Sequence, residues 1–432
     1  MGVCQDKKKR LLIISNNVLS QTNNNGKTIL SYIDGLDKNK VRQLYFNNEQ
    51  PTIEGYEYFR ITNRDVFRAK FYNKPSGEKI DCILCPAKKE DNNTKKIQQG
   101  LKLPRNVITC SIRNWLWGNS WISSDLLDWL DTFKPTTIFF LGGDTLFAYD
   151  ICMFIWKRYK CRLALYITDD YIMPRKKEKC LNKIYRNKVK NKMQKCLKEA
   201  DIFFTVSEPM RVAYKKTFNR DSTIIVNMSP LLKREEYQEK HENVHLIYTG
   251  SLYYGRENVI GLVSKAIRYY NLNNKQKIYL DIYTNRIPDM NKANKLKLNK
   301  YVRYKGHLDS EGLIKKLNCA DILLFVESFE EKYVEKTKFS LSTKVTEYLS
   351  IGKPILAIGP KNIGSMKYLE DVAMCVNSSK DIYEKLVALS TSCKMQSYFA
   401  YEAEKKYLNN LNKLYLQKKF EDRLFGNIGE LQ

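Results

Sequence analysis

One pattern constrains this chain more than any other: a short apolar run that stops at small or polar residues and gives way to a helically spaced stretch, repeated along the sequence. Lys8–Ser15 (KKRLLIIS) stops at Ser15-Asn16-Asn17. After the turn-rich Thr22–Lys27, residues Ile29, Leu30, Ile33 and Leu36 keep helical spacing. Thr136–Leu141 (TTIFFL) stops at Gly142-Gly143-Asp144, ahead of a helical stretch through Trp156. Arg162–Thr168 stops at Asp169-Asp170, and Asp201–Val206 at Ser207-Glu208. Runs this short and uniformly apolar suit strands buried on both faces of a parallel sheet, and the intervening helices are the crossovers such a sheet requires. Ligands of such sheets sit outside the carboxyl ends of the strands. That rule singles out Asp144 and Asp169–Tyr171.

A second series follows the polar, aperiodic segment from Ser229-Pro230 to Asn243, which reads as a linker. Its expected strands are His245–Thr249, Lys277–Thr284, Tyr301–Lys305, Asp321–Val326 and Pro354–Ile358, with a helix at Ser310–Asn318 among the connections. Met395–Phe425 reads as helical, basic and rich in aromatics. A chain of 432 residues exceeds one ordinary core and suits two domains of about 200 residues. The expectation is an α/β protein of two Rossmann-like, doubly wound domains facing a cleft, divided as 1–235, 236–400 and a helical segment 401–432.

Charge narrows the partners. Lys and Arg total 74 against 47 Asp and Glu, a net +27, which favours nucleic acid, acidic lipid headgroups or phosphorylated small molecules. A genome rich in Lys, Asn, Ile and Tyr produces the same bias. Arg175–Ala200 carries much of the charge above helically spaced Leu181, Ile184, Val189, Met193, Cys196 and Leu197. Two readings stand: a solvated helix packed on the sheet, or a helix lying on a membrane surface. No apolar run approaches the roughly 20 residues that span a bilayer. The polar start reads as no signal peptide, and Asp6 stands where a myristoylation signal at Gly2 wants Ser or Thr. The expected location is therefore cytoplasmic, with peripheral attachment to the inner face of the cell membrane.

Other chemistries fit poorly. The eleven cysteines are scattered, as small core residues of a reducing compartment would be. The Cys82-x-x-Cys85 pair lacks a second pair, and His241, His245 and His307 lie far from it, so neither structural zinc nor a redox motif is expected. Gly26-Lys27-Thr28 is not a P-loop, because Gln21 stands where that motif needs its first glycine.

Phe339–Ile358 (FSLSTKVTEYLSIGKPILAI) carries the most chemistry. Ser340 and Ser342 are good N-caps, Val345, Tyr348 and Leu349 share a helix face, Gly352 stops the helix, and Pro354 opens a strand. The helix start offers free amide N–H groups and the positive end of a dipole to an anion. Lys344 in that first turn costs a few tenths to about 1 kcal/mol unless an anion such as a diphosphate offsets it. Glu347 lies five residues past Ser342, about 7–8 Å along the axis, within reach of a ribose. The plainer reading makes Lys344 and Glu347 a solvent-facing i,i+3 pair.

This segment resembles the nucleotide-sugar motif of family 4 glycosyltransferases, in the variant S-x-K-x-x-E-Y-L-x-x-G-K-P-V. The resemblance implies the GT-B fold, whose last helix returns to the N-terminal domain. It also assigns ribose binding to Glu347 and diphosphate binding to Ser340, Ser342, Thr343 and Lys344. Further stretches resemble the family in the same order. Tyr248-Thr249-Gly250-Ser251 matches the strand and glycine opening the second domain, and Arg256 is the nearest match to the family's diphosphate-gripping cations. Tyr304-Lys305-Gly306-His307-Leu308 matches the base-binding turn, Cys319-Ala320-Asp321-Ile322 a strand start, and Ala200-Asp201 through Val206-Ser207-Glu208 a segment before the linker. The pattern departs at Phe339, where many members carry a second Glu, and at Gly142-Gly143-Asp144, where several carry a His.

The resemblance implies transfer of a sugar from a nucleotide diphosphate to a hydroxyl of a glycan or lipid-linked acceptor with retained configuration, as in polysaccharide assembly. No cofactor or metal is expected, since cations and amides can stabilise the departing diphosphate and the chain has no Asp-x-Asp. Asp169-Asp170 is the nearest approach to that metal-binding pattern. Asp144 or Asp170 is the candidate for positioning or deprotonating the acceptor. Two rivals stand beside this reading: a basic nucleic-acid-binding protein, which would gather its charge in an aromatic-laced stripe, and a nucleotide-sugar epimerase of the same fold. The transferase reading expects no nucleic-acid partner.

Overall fold

In the computed structural model the residues described are 9–21, 24–82, 106–226, 228, 242–284 and 289–426. The chain forms two compact units. The first takes Met1–Thr205, Tyr214–Ile225 and Gln417–Gln432; the second takes Val206–Ala213 and Val226–Leu416. The expected linker falls mostly on residues 229–241, outside the described residues.

The first unit is built on an eight-stranded sheet of order β4-β3-β2-β1-β5-β6-β7-β8. Its strands are β1 Leu11–Ser15, β2 Val41–Tyr45, β3 Glu57–Arg60, β4 Glu78–Ile80, β5 Thr137–Gly142, β6 Arg162–Ile167, β7 Ile202–Thr205 and β8 Thr223–Ile224. Every pair is parallel except β3 with β4 at one edge, which is antiparallel. The runs Leu11–Ser15, Thr137–Gly142 and Ile202–Thr205 are buried throughout, as strands covered on both faces must be. The strands β2 to β4 escape a search for apolar runs because charged and amide residues interrupt them. Gln43 is the instructive case. Fully buried in β2, it accepts from the Leu19 amide at 2.9 Å and donates to Ser15 Oγ at 2.8 Å and the Asn17 carbonyl at 3.0 Å. A polar side chain thus holds the loop after β1, and burial is tolerated because its hydrogen bonds are made.

The expected C-terminal helix is two helices, Cys393–Asn410 and Lys413–Phe425. Asn412 restarts the second by accepting from the Leu414 amide at 3.0 Å and the Tyr415 amide at 3.4 Å. The second helix docks in the first unit. Phe420 packs against Tyr32, Phe139 and Phe204 with ring centroids 4.8, 5.1 and 5.7 Å apart, and Gln417 Nε2 donates to the Ser31 carbonyl at 2.8 Å. The return of the last helix to the first unit thus centres on a buried aromatic, with Leu424 of the same helix also fully buried.

The second unit carries a six-stranded, wholly parallel sheet of order β11-β10-β9-β12-β13-β14. Its strands are β9 Val244–Thr249, β10 Ile278–Tyr283, β11 Val302–Gly306, β12 Ile322–Val326, β13 Ile355–Ile358 and β14 Met374–Val376. Renumbered from one, this is the 3-2-1-4-5-6 order of a dinucleotide-binding sheet, with its switch point between β9 and β12. The side chains of Leu246, Tyr248, Ile282, Leu324, Val326, Leu356 and Ile358 fill one continuous core under the sheet. Five of the six strands coincide with expected strands; β14, three residues long, gives too short a signal. The 180–199 helix (Cys180–Glu199) of the first unit buries Val189, Met193, Cys196 and Leu197 while Leu181 and Ile184 stay exposed, so its second half is a packed helix.

Candidate functional site

The switch point of the second unit gathers most of the singled-out residues. The strand ends are aligned there: the Gly250 amide donates to the Tyr283 carbonyl at 3.1 Å, and the Thr284 amide to the Gly306 carbonyl at 2.9 Å. Gly250 turns the chain out of β9 with φ +143°, and a Cβ built on it would lie 4.0 Å from Lys344 Cγ. The turn after β9 therefore adjoins the first turn of the Thr343–Ile351 helix. That helix begins as its sequence dictates. Ser342 is the N-cap, its Oγ accepting from the Lys344 amide at 3.4 Å, and Gly352 ends the helix at φ +68°. As a crossover between β12 and β13 it runs against the strands, which brings its amino end to the carboxyl edge of the sheet.

Tyr348 fixes this placement. Its hydroxyl is buried and accepts from the Thr249 amide at 3.0 Å, lies 3.0 Å from Thr249 Oγ1 and donates to the Leu324 carbonyl at 3.3 Å. One phenol thus ties the helix to the ends of both switch-point strands, and burial pushes its pKa up to about 12. The Ser342 amide donates to Ser365 Oγ at 2.9 Å, and Ser365 Oγ donates in turn to the Ser340 carbonyl at 3.5 Å.

Two ion pairs mark the site. Lys344 Nζ stands 2.7 Å from Glu347 Oε2, with the side chains 24% and 16% exposed, so the i,i+3 pair exists but is mostly covered rather than solvent-facing. Arg256 Nη2 stands 2.9 Å from Glu327 Oε1, and the Glu327 side chain is only 2% exposed. Glu327 Oε2 is buried with no hydrogen-bond partner. Burial raises the Glu327 carboxyl above its ordinary range, with the Arg256 charge pulling the other way and losing. Arg256 opens the Arg256–Asn273 helix, and its Nη1 reaches Ser251 Oγ at 3.3 Å. The residue before it, Gly255, must be glycine: at φ +74°, a Cβ would stand 2.7 Å from the Tyr333 ring and 2.8 Å from Ser328 Oγ.

The structure therefore brings Gly250, Ser251, Arg256, Ser342, Thr343, Lys344 and Glu347 to one strand-end region, with Ser340 in the loop leading into the helix. Gly306 and His307 lie at the end of β11, two strands away across β10. His307 is exposed, and nothing stands within 4 Å of a Cβ built on Gly306, which has φ +88°. Phe339 is buried, and its carbonyl accepts from Ser207 Oγ at 2.6 Å. Sequence reading missed Glu327 and the polar role of Tyr348. Glu327 announces itself only as an acid directly after the apolar run Ile322–Val326, and Tyr348 reads as one more apolar face residue.

In the first unit Asp144 follows β5 and Asp170 follows β6, both at the carboxyl edge of their own sheet. The Asp144 carbonyl accepts from Tyr185 Oη at 2.9 Å. Asp170 Oδ1 accepts from the Ile172 and Met173 amides, each at 3.1 Å, and from Tyr214 Oη at 3.2 Å. That oxygen is committed to holding the loop. A residue not singled out beforehand, Asn16, sits at the β1–β5 switch point. Its Nδ2 donates to Thr145 Oγ1 at 3.4 Å while its buried Oδ1 has no partner. Among the described residues no group of three or more His, Cys, Asp and Glu is arranged to hold a metal, and the nine cysteines are free. Cys85 and His241 lie outside the described residues.

A largely parallel, doubly wound sheet in each unit, with the last helix returned to the first, can be compared with solved structures. The chain has the GT-B fold. It superposes on a trehalose-6-phosphate protein from E. coli bound with UDP-2-fluoro glucose at TM-score 0.62, covering 96% of this chain and 99% of that one at 12% identity. An α,α-trehalose-phosphate synthase (UDP-forming) from Burkholderia xenovorans, in complex with glucose-6-phosphate, gives 0.60, 96%, 100% and 11%. A mutant of S. aureus TarM, in complex with fondaparinux, α-GlcNAc-glycerol and UDP, gives 0.52, 69%, 58% and 12%. At these identities the likeness is one of fold. No protein-family model matches the chain, and no curated protein matches it in sequence.

Proposed function

We propose that this chain is a glycosyltransferase that moves a hexosyl group from a nucleotide diphosphate to a hydroxyl acceptor with retention of configuration. The observation that carries the proposal is the amino end of the 343–351 helix, set beside the Gly250 turn at the switch point with Lys344 and Arg256 around it. Amides, a helix dipole and two cations converge on one place, which is what a diphosphate needs. Two inter-strand spacings of about 4.8 Å separate β9 from β11. A nucleoside laid across β10 would bring its base to Gly306-His307 while its phosphates reach Ser342, Thr343 and Lys344. Solved structures of this fold with UDP-2-fluoro glucose or UDP support a nucleotide-sugar donor.

In this scheme the Lys344–Glu347 pair opens on binding: Lys344 turns to the phosphates, and Glu347 accepts from the ribose hydroxyls. Glu327 holds Arg256 at the strand end, where its charge offsets that building on the leaving diphosphate. Asp144, and Asp170 through its second oxygen, remain the candidates for the acceptor side, joined by Asn16. The acceptor is a glycan or lipid-linked intermediate of cell-surface assembly, and the basic surplus suits attachment to an anionic inner leaflet.

The test is a thermal-shift panel of UDP-, GDP- and other nucleotide-sugars on wild type and Glu347→Ala. Stabilisation by one donor that disappears in Glu347→Ala is the expected result. Salt-sensitive DNA binding with no nucleotide effect would instead favour the nucleic-acid reading. Turnover of a donor to its epimer without acceptor would favour an epimerase.

A further inference from the structure

Two helices of the first unit are amphipathic the wrong way round for a soluble surface. On the helix Val107–Trp117, residues Ile108, Ile112 and Trp115 follow i, i+4, i+7 spacing, which places them on one stripe. They are 58–61% exposed. The opposite side is anchored: Trp117 is fully buried, stacks on Phe147 with centroids 3.6 Å apart and donates from Nε1 to Asn63 Oδ1 at 2.8 Å. The adjoining helix Asn63–Tyr72 exposes Phe67, Phe71 and Tyr72 at 44–65% and buries Val66. Ring contacts make one patch of these: Phe67 to Phe71 at 4.8 Å, Phe67 to Tyr72 at 6.1 Å and Phe71 to Trp115 at 6.3 Å. Outward apolar stripes on two neighbouring, well-anchored helices exceed the scattered exposed residues any protein carries.

The charges around the patch identify what covers it. Residues 63–74 hold four cations, Arg64, Arg68, Lys70 and Lys74, and a single acid, Asp65, while Arg113 of the second helix lies over the Phe147 ring on the anchored side. Asp65 is occupied in the capping box of its helix, accepting from the Thr62 amide at 2.7 Å. Lys70 Nζ lies 3.9 Å over the Trp115 ring and donates to the Trp115 carbonyl at 2.9 Å, so cation and aromatic share one surface. Aromatic rings interleaved with Lys and Arg are the composition that settles at the headgroup level of an acidic bilayer. Among the described residues no helix is long and apolar enough to cross a membrane.

We propose that the paired 63–72 and 107–117 helices form a docking face for an anionic lipid surface, with Trp115 and Phe71 inserted at the interface and the flanking cations on the headgroups. The inference rests on the membrane-attachment part of the reading above and is independent of the transfer chemistry. It moves the contact away from the 180–199 helix, whose sequence had suggested such a role.

The experiment is co-sedimentation of the full chain with phosphatidylcholine vesicles, with and without 30% phosphatidylserine, read alongside tryptophan emission. Trp115 is the most exposed of the five tryptophans, so a shift of the emission on binding reports chiefly on it. The expected result is binding to the acidic vesicles with a blue shift, at least tenfold weaker binding for Phe71→Ala/Trp115→Ala, and unchanged binding for Lys183→Glu/Lys190→Glu on the 180–199 helix. No wild-type binding to either vesicle overturns membrane attachment itself, and binding with no preference for acidic vesicles overturns the anionic surface proposed here. Binding without a blue shift, or equally strong in Phe71→Ala/Trp115→Ala, overturns this face alone.

Discussion

Replacing Arg256 by Met removes one charge from a pair whose other member cannot reach water. Glu327 is 2% exposed, its Oε1 is 2.9 Å from the guanidinium and its Oε2 has no partner. Breaking a buried pair from one side costs about 3–5 kcal/mol because an uncompensated charge stays behind. For a domain of 150–250 residues each kcal/mol moves the melting temperature by about 2–4 °C, so a fall of roughly 6–20 °C is expected. Protonation relieves the defect. The Glu327 carboxyl titrates above its unfolded value even beside Arg256, and losing the cation raises it further. The folded variant then binds more protons than its unfolded chain between the unfolded carboxyl value, 4.5, and its own higher one. Its deficit is therefore full above the folded pKa and shrinks as pH falls through it. Arg256→Met/Glu327→Leu, which removes both charges, should recover most of the loss or exceed wild type. Differential scanning calorimetry of wild type and the two variants at pH 5 and pH 7.5 checks this. Single and double variants melting within about 2 °C of each other at both values would refute the idea that the pair is buried and coupled.

Tyr348→Phe strands the buried Thr249 amide and should cost about 1–3 kcal/mol in denaturant unfolding, with weaker nucleotide binding because the helix loses its tie to β9. Lys344→Met separates stability from binding. Its partly exposed pair with Glu347 contributes at most about 1 kcal/mol to folding. A charge-assisted contact to a diphosphate, worth about 1.5–3 kcal/mol, should cost roughly 10–100-fold in donor affinity by calorimetric titration.

The strands of the second unit were disclosed almost entirely, because its central strands are buried on both faces and read as apolar runs such as ILLFV and ILAI. The first unit was half legible. Arg42, Gln43, Glu57 and Arg60 break up β2 and β3, and their roles depend on partners remote in sequence: Arg42 Nη2 pairs with Glu57 Oε2 at 2.8 Å, and Arg60 Nη2 with Glu78 Oε1 at 2.6 Å. At the candidate site, the capped helix and its glycine stop were visible because capping is local chemistry. Glu327 was not, because its meaning comes from Arg256, 71 positions earlier. Tyr348 was not, because a hydroxyl's partners on neighbouring strands leave no periodic trace. The break at Leu411-Asn412 was legible and passed over: Asn409, Asn410 and Asn412 are poor residues inside a helix and good ones at its ends.

The most direct test of the diphosphate cradle is calorimetric titration of wild type and Glu347→Ala with UDP, GDP and their sugars. The account predicts saturable binding of one nucleotide series by wild type, at least tenfold weaker in Glu347→Ala, with a melting temperature in the absence of ligand no more than about 4 °C lower. Binding that Glu347→Ala leaves intact, or no nucleotide binding at all by folded wild type, would contradict it.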